Sequence, residues 1–102
     1  MMFDKSTRKL TAGIDAEIPS ELQLFLWNMI DEARDKTRLD YLQVFDINPD
    51  FFAKHLLHVK HSQEVPKFEQ ERTIITNSEP ITAKIYVIDD GDHSTMLFSR
   101  EY

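Results

Sequence analysis

Apolar residues recur every three to four positions after Pro19, and this spacing predicts an amphipathic helix. Proline suits the first turn of a helix, and Ser20 with Gln23 three residues later resembles a capping box. The cations between Lys36 and Arg38 suit the negative end of the helix dipole, so the helix is expected to end there. Its apolar face comprises Leu22, Phe25, Leu26, Met29, Ile30 and Ala33. We therefore predict one long helix that buries this face.

The apolar spacing changes to every second residue after Leu39, which is the pattern of β-strands. Aromatic and β-branched residues fill Tyr41–Ile47, and Asn48, Pro49 and Asp50 break the pattern. Four further strands are predicted, at Thr7–Ala12, Phe68–Thr76, Ile81–Ile88 and Thr95–Phe98.

The stretch Phe51–His61 fits two structures. Asn48 as a cap with Pro49 after it permits a helix. Alternation of apolar and polar residues permits a strand that follows a turn through Phe52, and we favour this second interpretation. In the strand, one face would hold His55, Leu57, Val59 and His61, and the other Leu56, His58, Lys60 and Ser62.

The order of the elements, one helix followed by four or five strands, predicts an α+β fold. Short connections favour pairing between strands that are neighbours in sequence. We therefore expect a curved, mainly antiparallel meander of about five strands, with the helix across one face. The length of 102 residues fits a single domain, residues 1–102.

Composition places the chain among ordinary globular proteins, with a hydrophobic share of 41% and a charged share of 29%. The chain has no cysteine, which excludes disulfides and thiolate metal sites. Met1 to Leu10 lacks the apolar stretch of a secretion signal. The most apolar segment, Ile18 to Ala33, is too short and too acidic to cross a membrane. We therefore expect a cytoplasmic protein that does not bind membranes.

The formal net charge is −6, from 18 acidic and 12 basic side chains. Proteins that bind duplex DNA or RNA need a clustered basic face. Lysine and arginine are scattered here, so nucleic acid is not an expected partner. The acidity leaves two other relations open, namely binding to a basic partner and imitation of nucleic acid.

Three carboxylates, on Asp89, Asp90 and Asp92, surround Gly91, and His93 follows them. A hairpin turn needs the positive φ that glycine adopts readily, but it does not need the carboxylates. Asp89, Asp92 and His93 are therefore candidate ligands for an ion or a small molecule. The alternative, which we favour, is a solvated turn whose aspartates bind their own backbone. No metal ion or cofactor is predicted.

His55, His58 and His61 are spaced by three. A strand points His58 away from the other two, and a helix spreads all three around its surface. A zinc ion needs ligands that converge, so this spacing suits one ion poorly. We expect exposed histidines on a strand.

Leu24 and Trp27 lie off the apolar face of the predicted helix, near Asn28 and Asp31. If the sheet covers only the apolar face, both large side chains lie near solvent, where such groups mark interfaces. Leu24, Trp27, Asn28 and Asp31 are therefore candidate partner-binding residues. The alternative is that the curved sheet or the N-terminal segment covers Leu24 and Trp27 as well.

Several strings of residues occur in an order that resembles a known family. They are Glu17-Ile18-Pro19-Ser20-Glu21-Leu22-Gln23, Asp40-Tyr41-Leu42-Gln43-Val44-Phe45, Gln63-Glu64-Val65-Pro66, Ile85-Tyr86-Val87-Ile88-Asp89-Asp90-Gly91 and Ser94-Thr95-Met96-Leu97. Together they span nearly the whole chain. The chain resembles small proteins of Gram-positive bacteria and their phages that carry a domain of unknown function. None of the strings is a catalytic signature, so the resemblance implies no activity and no site residue.

Three hypotheses about function follow. The first is a non-enzymatic, acidic interaction or regulatory domain that binds a protein partner or itself, because the chain has no metal-binding box, phosphate loop or nucleophile motif. The second is a small ligand-binding domain or enzyme with a pocket between helix and sheet, with Tyr41 and Tyr86 as wall residues. The third is a nucleic-acid mimic with carboxylates along one surface.

Overall fold

The computed structural model describes all 102 residues. Two α-helices and six strands follow one another as β1 (Arg8–Leu10), α1 (Ala12–Glu17), α2 (Ser20–Arg34), β2 (Leu42–Pro49), β3 (Leu56–Gln63), β4 (Phe68–Ile75), β5 (Ala83–Asp89) and β6 (Ser94–Phe98). Short 3-10 helices lie at Lys5–Thr7 and Ser99–Glu101. The fold is α+β, as predicted, but it has six strands rather than about five.

The strands form one open, mixed sheet in the order β1-β6-β5-β2-β3-β4. All neighbours are antiparallel except β1 and β6, which are parallel. The predicted meander is wrong, because β5 pairs with β2 and not with β4. The apolar run Ile85–Ile88 suits a central position, whereas Glu69, Glu71 and Arg72 suit β4 to the edge, where charges discourage pairing with other chains.

The helix α2 spans 15 residues, so it is not especially long, and it ends before the predicted cations. Pro19 occupies its N-cap and no side chain caps the helix. The predicted capping box is absent because Gln23 Nε2 instead donates a 2.9 Å hydrogen bond to the carbonyl of Ile18. Its buried side chains are Leu22, Leu26, Trp27, Met29, Ile30 and Ala33. Neither α-helix has the length and apolarity needed to cross a membrane.

The N-terminal segment departs from the predicted strand. The first strand, β1, ends at Leu10, and Thr11 Oγ1 caps α1 by accepting a 3.2 Å hydrogen bond from the backbone N–H of Ile14. Gly13 therefore lies inside a helix rather than at the end of a strand. A helix of six residues is too short to show a repeated apolar period, which is why its pattern was not recognisable.

The stretch after Asp50 folds as the favoured interpretation predicts, with a loop followed by β3, and the alternative helix is wrong. Asn48 and Pro49 do not break β2, because they are its last residues and pair with His58 and Leu57. The burial pattern of β3 alternates as expected, with Leu57, Val59, His61 and Gln63 buried.

One face of the sheet, called the inner face below, carries the hydrophobic core. Eighteen buried apolar residues form a single cluster from both α-helices, the N-terminal segment and this face. Its largest strand residues include Phe45, Ile47, Leu57, Ile85 and Met96. These side chains fill the space between helix and sheet, and the two predicted wall residues, Tyr41 and Tyr86, do not line it.

Candidate functional site

The opposite face of the sheet, the outer face, is covered by no α-helix, and the ring of Tyr102 meets that of Tyr86 edge to face at 5.7 Å. Every buried strand residue lies on the inner face. The outer face of β2, β5 and β6 nevertheless carries large, half-buried apolar side chains, which are Leu42, Val44, Tyr86, Ile88 and Leu97. We call these five residues the outer apolar patch. A continuous apolar strand such as Ile85–Ile88 is typical of a strand covered on both faces, which makes this patch the candidate functional site.

The strand registers arrange the outer apolar patch in rows. Val44 lies opposite Tyr86, and Tyr86 lies opposite Leu97. In the adjacent row Leu42 lies opposite Ile88. Side chains that are directly opposite on one face of a sheet touch each other, so the patch is continuous across three strands.

Charged side chains of alternating sign border the patch. The row across β4, β3, β2 and β5 reads Glu71, Lys60, Asp46 and Lys84. In the next row Glu69 Oε1 is 3.4 Å from Lys60 Nζ. Opposite charges on adjacent strands stabilise a sheet. This mixed-sign surface differs from the single-sign carboxylate row on which the mimic hypothesis depends.

A depression of about 450 Å³ lies over part of the patch. Leu42, Val44 and Tyr86 are among its lining residues, and Glu64 and Lys67 stand at its margin after the end of β3. Ser62 is the one serine that lines the depression. No histidine lines it, so Ser62 has no imidazole base beside it. The lining combines apolar side chains with separate charges of both signs.

Asp89, the first aspartate of the turn between β5 and β6, accepts hydrogen bonds from two backbone N–H groups. Asp89 Oδ2 accepts a 2.7 Å hydrogen bond from the N–H of Phe3, and its Oδ1 accepts one of 2.8 Å from the N–H of Gly91. Gly91 has a φ of 102°, the left-handed conformation that the sequence predicts for it.

The rest of the turn is held by Asp90. Its Oδ1 accepts 3.0 Å hydrogen bonds from the N–H groups of Asp92 and His93, and these backbone bonds lower the pKa of Asp90. Its Oδ2 lies 3.2 Å from His93 Nε2. Asp89, Asp92 and His93 do not form a metal-binding group. The turn is therefore the self-bound turn that we favoured, and a ligand at these residues stays a prediction.

The N-terminal segment covers Trp27, which is only 7% exposed. The guanidinium of Arg8 lies 4.6 Å from the centre of the indole ring and pairs with the carboxylate of Asp31. Of the two alternatives for Trp27, the one in which the N-terminal segment covers it is confirmed, and the one that leaves it near solvent is wrong. Leu24 is 61% exposed and Asn28 is also exposed, so the four candidate residues do not form one accessible surface.

The three histidines lie in three different environments. His61 is fully buried and stacks on Phe45 with ring centres 4.4 Å apart, so the expectation of exposed histidines is wrong for this residue. His58 is exposed, and its Nε2 lies 2.8 Å from Asp50 Oδ1. This contact, with two backbone N–H groups, lowers the pKa of Asp50 to about 2. His55 is exposed in the preceding loop.

His61 belongs to a buried polar network that the sequence did not predict. Its Nε2 lies 2.6 Å from Gln43 Oε1, and its Nδ1 lies 2.9 Å from Gln70 Nε2. A neutral imidazole with the proton on Nε2 satisfies both contacts. Burial, aided by the positive charge of Arg72, lowers the pKa of His61 to about 4. The only signal in the sequence is that glutamine occupies inward positions of three strands.

A second exposed apolar feature lies at the tip of the β2–β3 hairpin. Phe51 and Phe52 are 78% and 91% exposed, and their rings meet edge to face at 4.9 Å. Asp50 Oδ2 holds the loop by accepting hydrogen bonds from the N–H groups of Phe52 and Ala53. Two adjacent phenylalanines in a predicted turn were the signal for this exposed pair.

Comparison with known proteins agrees with the resemblance read from the sequence. The model of a family described as "Staphylococcal protein of unknown function (DUF960)" matches residues 7–101. A solved structure described as the "protein of unknown function from Enterococcus faecalis" is 26% identical, with a TM-score of 0.85. The match covers 100% of this chain and 96% of that chain. No curated protein matches.

Proposed function

Because the chain belongs to the family of staphylococcal proteins of unknown function, whose description carries no activity, we propose a function from the chain's own surface. We propose that it is a non-enzymatic interaction domain that binds a protein partner or itself. Its binding surface is the outer apolar patch. The observation that carries the proposal is a central strand with large apolar side chains on both faces in a sheet with only one covered face.

Burial supports this proposal. The side chains of Tyr86, Ile88 and Leu97 are half-buried although no helix lies over them, and the ring of Tyr102 meets that of Tyr86 edge to face. A contiguous apolar surface of this kind on a folded protein is typical of an interaction site. The charges around it form a polar border, which is the usual composition of a protein–protein interface. Contact with another protein would remove the remaining apolar area from water.

The interior gives no comparable support for an enzyme. The space between helix and sheet is filled by the core, and the buried side chains Gln43, His61, Gln63 and Gln70 hydrogen-bond to one another. Ser94 Oγ is the one buried side-chain polar atom without a hydrogen-bond partner. The carboxylates of Asp89 and Asp90 in the acidic turn accept hydrogen bonds from backbone N–H groups. An interaction or regulatory role therefore accounts for more of the surface than a reaction does.

A substitution within the outer apolar patch tests the proposal. Leu97→Glu introduces a charge on the outer face of β6, and Thr73→Glu introduces the same charge on the outer face of the edge strand β4. Each variant is tested for self-association by sedimentation and for protein capture from a staphylococcal lysate, after circular dichroism has established that it folds. We expect Leu97→Glu to lose association that the wild type and Thr73→Glu retain. Equal association by all three proteins would contradict the proposal.

A further inference from the structure

We propose that a second copy of this chain covers the outer face. The two sheets pack face to face about a two-fold axis that is parallel to β5 and lies midway between the β5 strands of the two copies. This inference rests on the proposed function, because it names the partner of the same surface. Face-to-face packing of two sheets with nearly aligned strands is a common arrangement, with the sheets about 10 Å apart. The strand order and the registers determine which residues would meet.

A two-fold axis along β5 places each strand over a defined strand of the second copy. Because the order is β1-β6-β5-β2-β3-β4, β5 meets itself and β2 meets β6. One strand further out on each side, β3 meets β1. The edge strand β4 extends beyond the overlap. The axis keeps strand direction, so residues of the same row remain level with each other.

This placement brings apolar side chains onto apolar side chains. Tyr86 and Ile88 each face the same residue of the second copy, because both lie on the strand that carries the axis. Val44 faces Leu97 of the second copy, since both residues are aligned with Tyr86. Leu42 faces Thr95 of the second copy by the same reasoning from Ile88. Four of the five patch residues therefore face a patch residue of the second copy, and Leu42 faces a threonine.

The charges at the margin select this axis. Lys9 lies on the outer face of β1 opposite Thr95, and Glu64 directly follows β3 beside Leu42 in the depression. Rotation about β5 places Lys9 over Glu64 of the second copy, and the symmetry creates this contact twice. Rotation about an axis across the strands would place neither of these charges over an opposite charge of the second copy. Lys84 faces Lys84 of the second copy, and the two like charges repel each other. Asp46, which lies opposite Lys84 on β2 of the same copy, offsets this repulsion.

The area over which the two sheets overlap is small, so we expect a weak dimer. Five strands at a spacing of about 4.8 Å give a width of about 24 Å. Only two or three residue rows of the patch contribute along the strands. An interface of this size falls below the standard size of about 800 Å² per partner, so we expect a dimer in the micromolar range.

Charge reversal at the two margin residues tests the proposal. The variants are Lys9→Glu, Glu64→Lys, the double variant, and Lys36→Glu as a control on an exposed residue after α2. Sedimentation equilibrium of each, at about 50 mM salt to limit screening, gives the dimer dissociation constant. Each single variant should weaken the dimer about tenfold, because both symmetric contacts become repulsive. An equimolar mixture of the two single variants should form a heterodimer of nearly wild-type affinity, and the double variant should also recover.

Recovery in the mixture is specific to contact between residues 9 and 64 of different copies, and loss of folding cannot produce it. A wild-type protein that stays monomeric up to about 500 µM would overturn the inference, since the expected affinity is micromolar. Single variants that associate like the wild type, or a mixture that does not recover, would also overturn it. None of these results would contradict the proposed function. That proposal fails only if Leu97→Glu leaves both self-association and protein capture unchanged.

Discussion

The backbone N–H of Phe3 donates a 2.7 Å hydrogen bond to Oδ2 of Asp89, a residue 86 positions away along the chain. The bond fixes the N-terminal segment against the end of β5. Phe3 is fully buried and has a φ of 57°, so this segment holds a conformation that a phenylalanine rarely adopts. A carboxylate that looked like a possible ligand in the sequence thus stabilises the fold.

Asp89→Ala is expected to lower the free energy of unfolding by about 2 kcal/mol, because it leaves the N–H groups of Phe3 and Gly91 without their partner. Asp92→Ala is the matched control, and it should change stability by no more than about 0.5 kcal/mol because Asp92 is exposed. Urea unfolding measures both. Equal effects of the two substitutions would show that the bond to Phe3 is not stabilising.

Trp27→Ala is expected to destabilise the protein by about 3–5 kcal/mol, because it removes a large side chain from the core. Leu24→Ala, on an exposed part of the same helix, should cost less than about 1 kcal/mol. Thermal unfolding followed by circular dichroism compares the two. A Trp27→Ala protein as stable as the wild type would mean that the N-terminal segment does not cover the indole ring.

Stability is expected to fall as the pH is lowered from 6.5 towards 4. The pKa of His61 is about 4 in the folded protein, against 6.5 for an unperturbed histidine. Between these values the unfolded chain binds the proton and the folded chain does not, so acid favours unfolding. The full loss is about 3 kcal/mol.

Urea unfolding at several pH values measures the slope of the free energy of unfolding against pH. His61→Gln should remove most of it, whatever its effect on absolute stability. His58→Gln, which changes an exposed histidine on the opposite face of β3, should retain it. An unchanged slope in His61→Gln would mean that another group takes up the proton.

Gln63→Ala is expected to cost about 2–4 kcal/mol, because the amide is the centre of the buried polar network. Its Nε2 donates to the carbonyls of Arg38 and Pro66, and its Oε1 accepts from Asp40 N and Gln43 Nε2. Gln23→Ala, which removes a single hydrogen bond, should cost about 1 kcal/mol. Chemical unfolding compares the two variants, and equal costs would contradict the importance of the network.

The elements with a long, regular pattern were predictable from the sequence. The apolar period of α2, the alternation in β2 and β4 and the continuous apolar run in β5 are local signals, and the structure confirms these elements. The pairing of β5 with β2 was not predictable, because it depends on which strands gain most from a central position. A preference for neighbouring strands was the only local guide, and it failed where β4 was too charged to lie inside the sheet.

The candidate site was only partly predictable for the same reason. The exposure of Trp27 depends on whether a distant segment lies over it, and Arg8, whose guanidinium also donates to the carbonyl of Phe3, provides that cover. The outer apolar patch needs the strand registers before Val44, Tyr86 and Leu97 can be recognised as one surface. The continuous apolar run from Ile85 was visible in the sequence, but its meaning depends on which face the helices cover.

The central claim is that the outer apolar patch is a binding surface which a second copy covers. The most direct measurement is the change in methyl NMR shifts as the protein is diluted from about 500 µM to about 5 µM, a range that spans a micromolar dissociation constant. The account predicts shifts at outer methyl groups, on Val44, Ile88 and Leu97, and none at the inner groups of the same strands, on Ile47 and Val87. Shifts at neither set, or equal shifts at both, would contradict it.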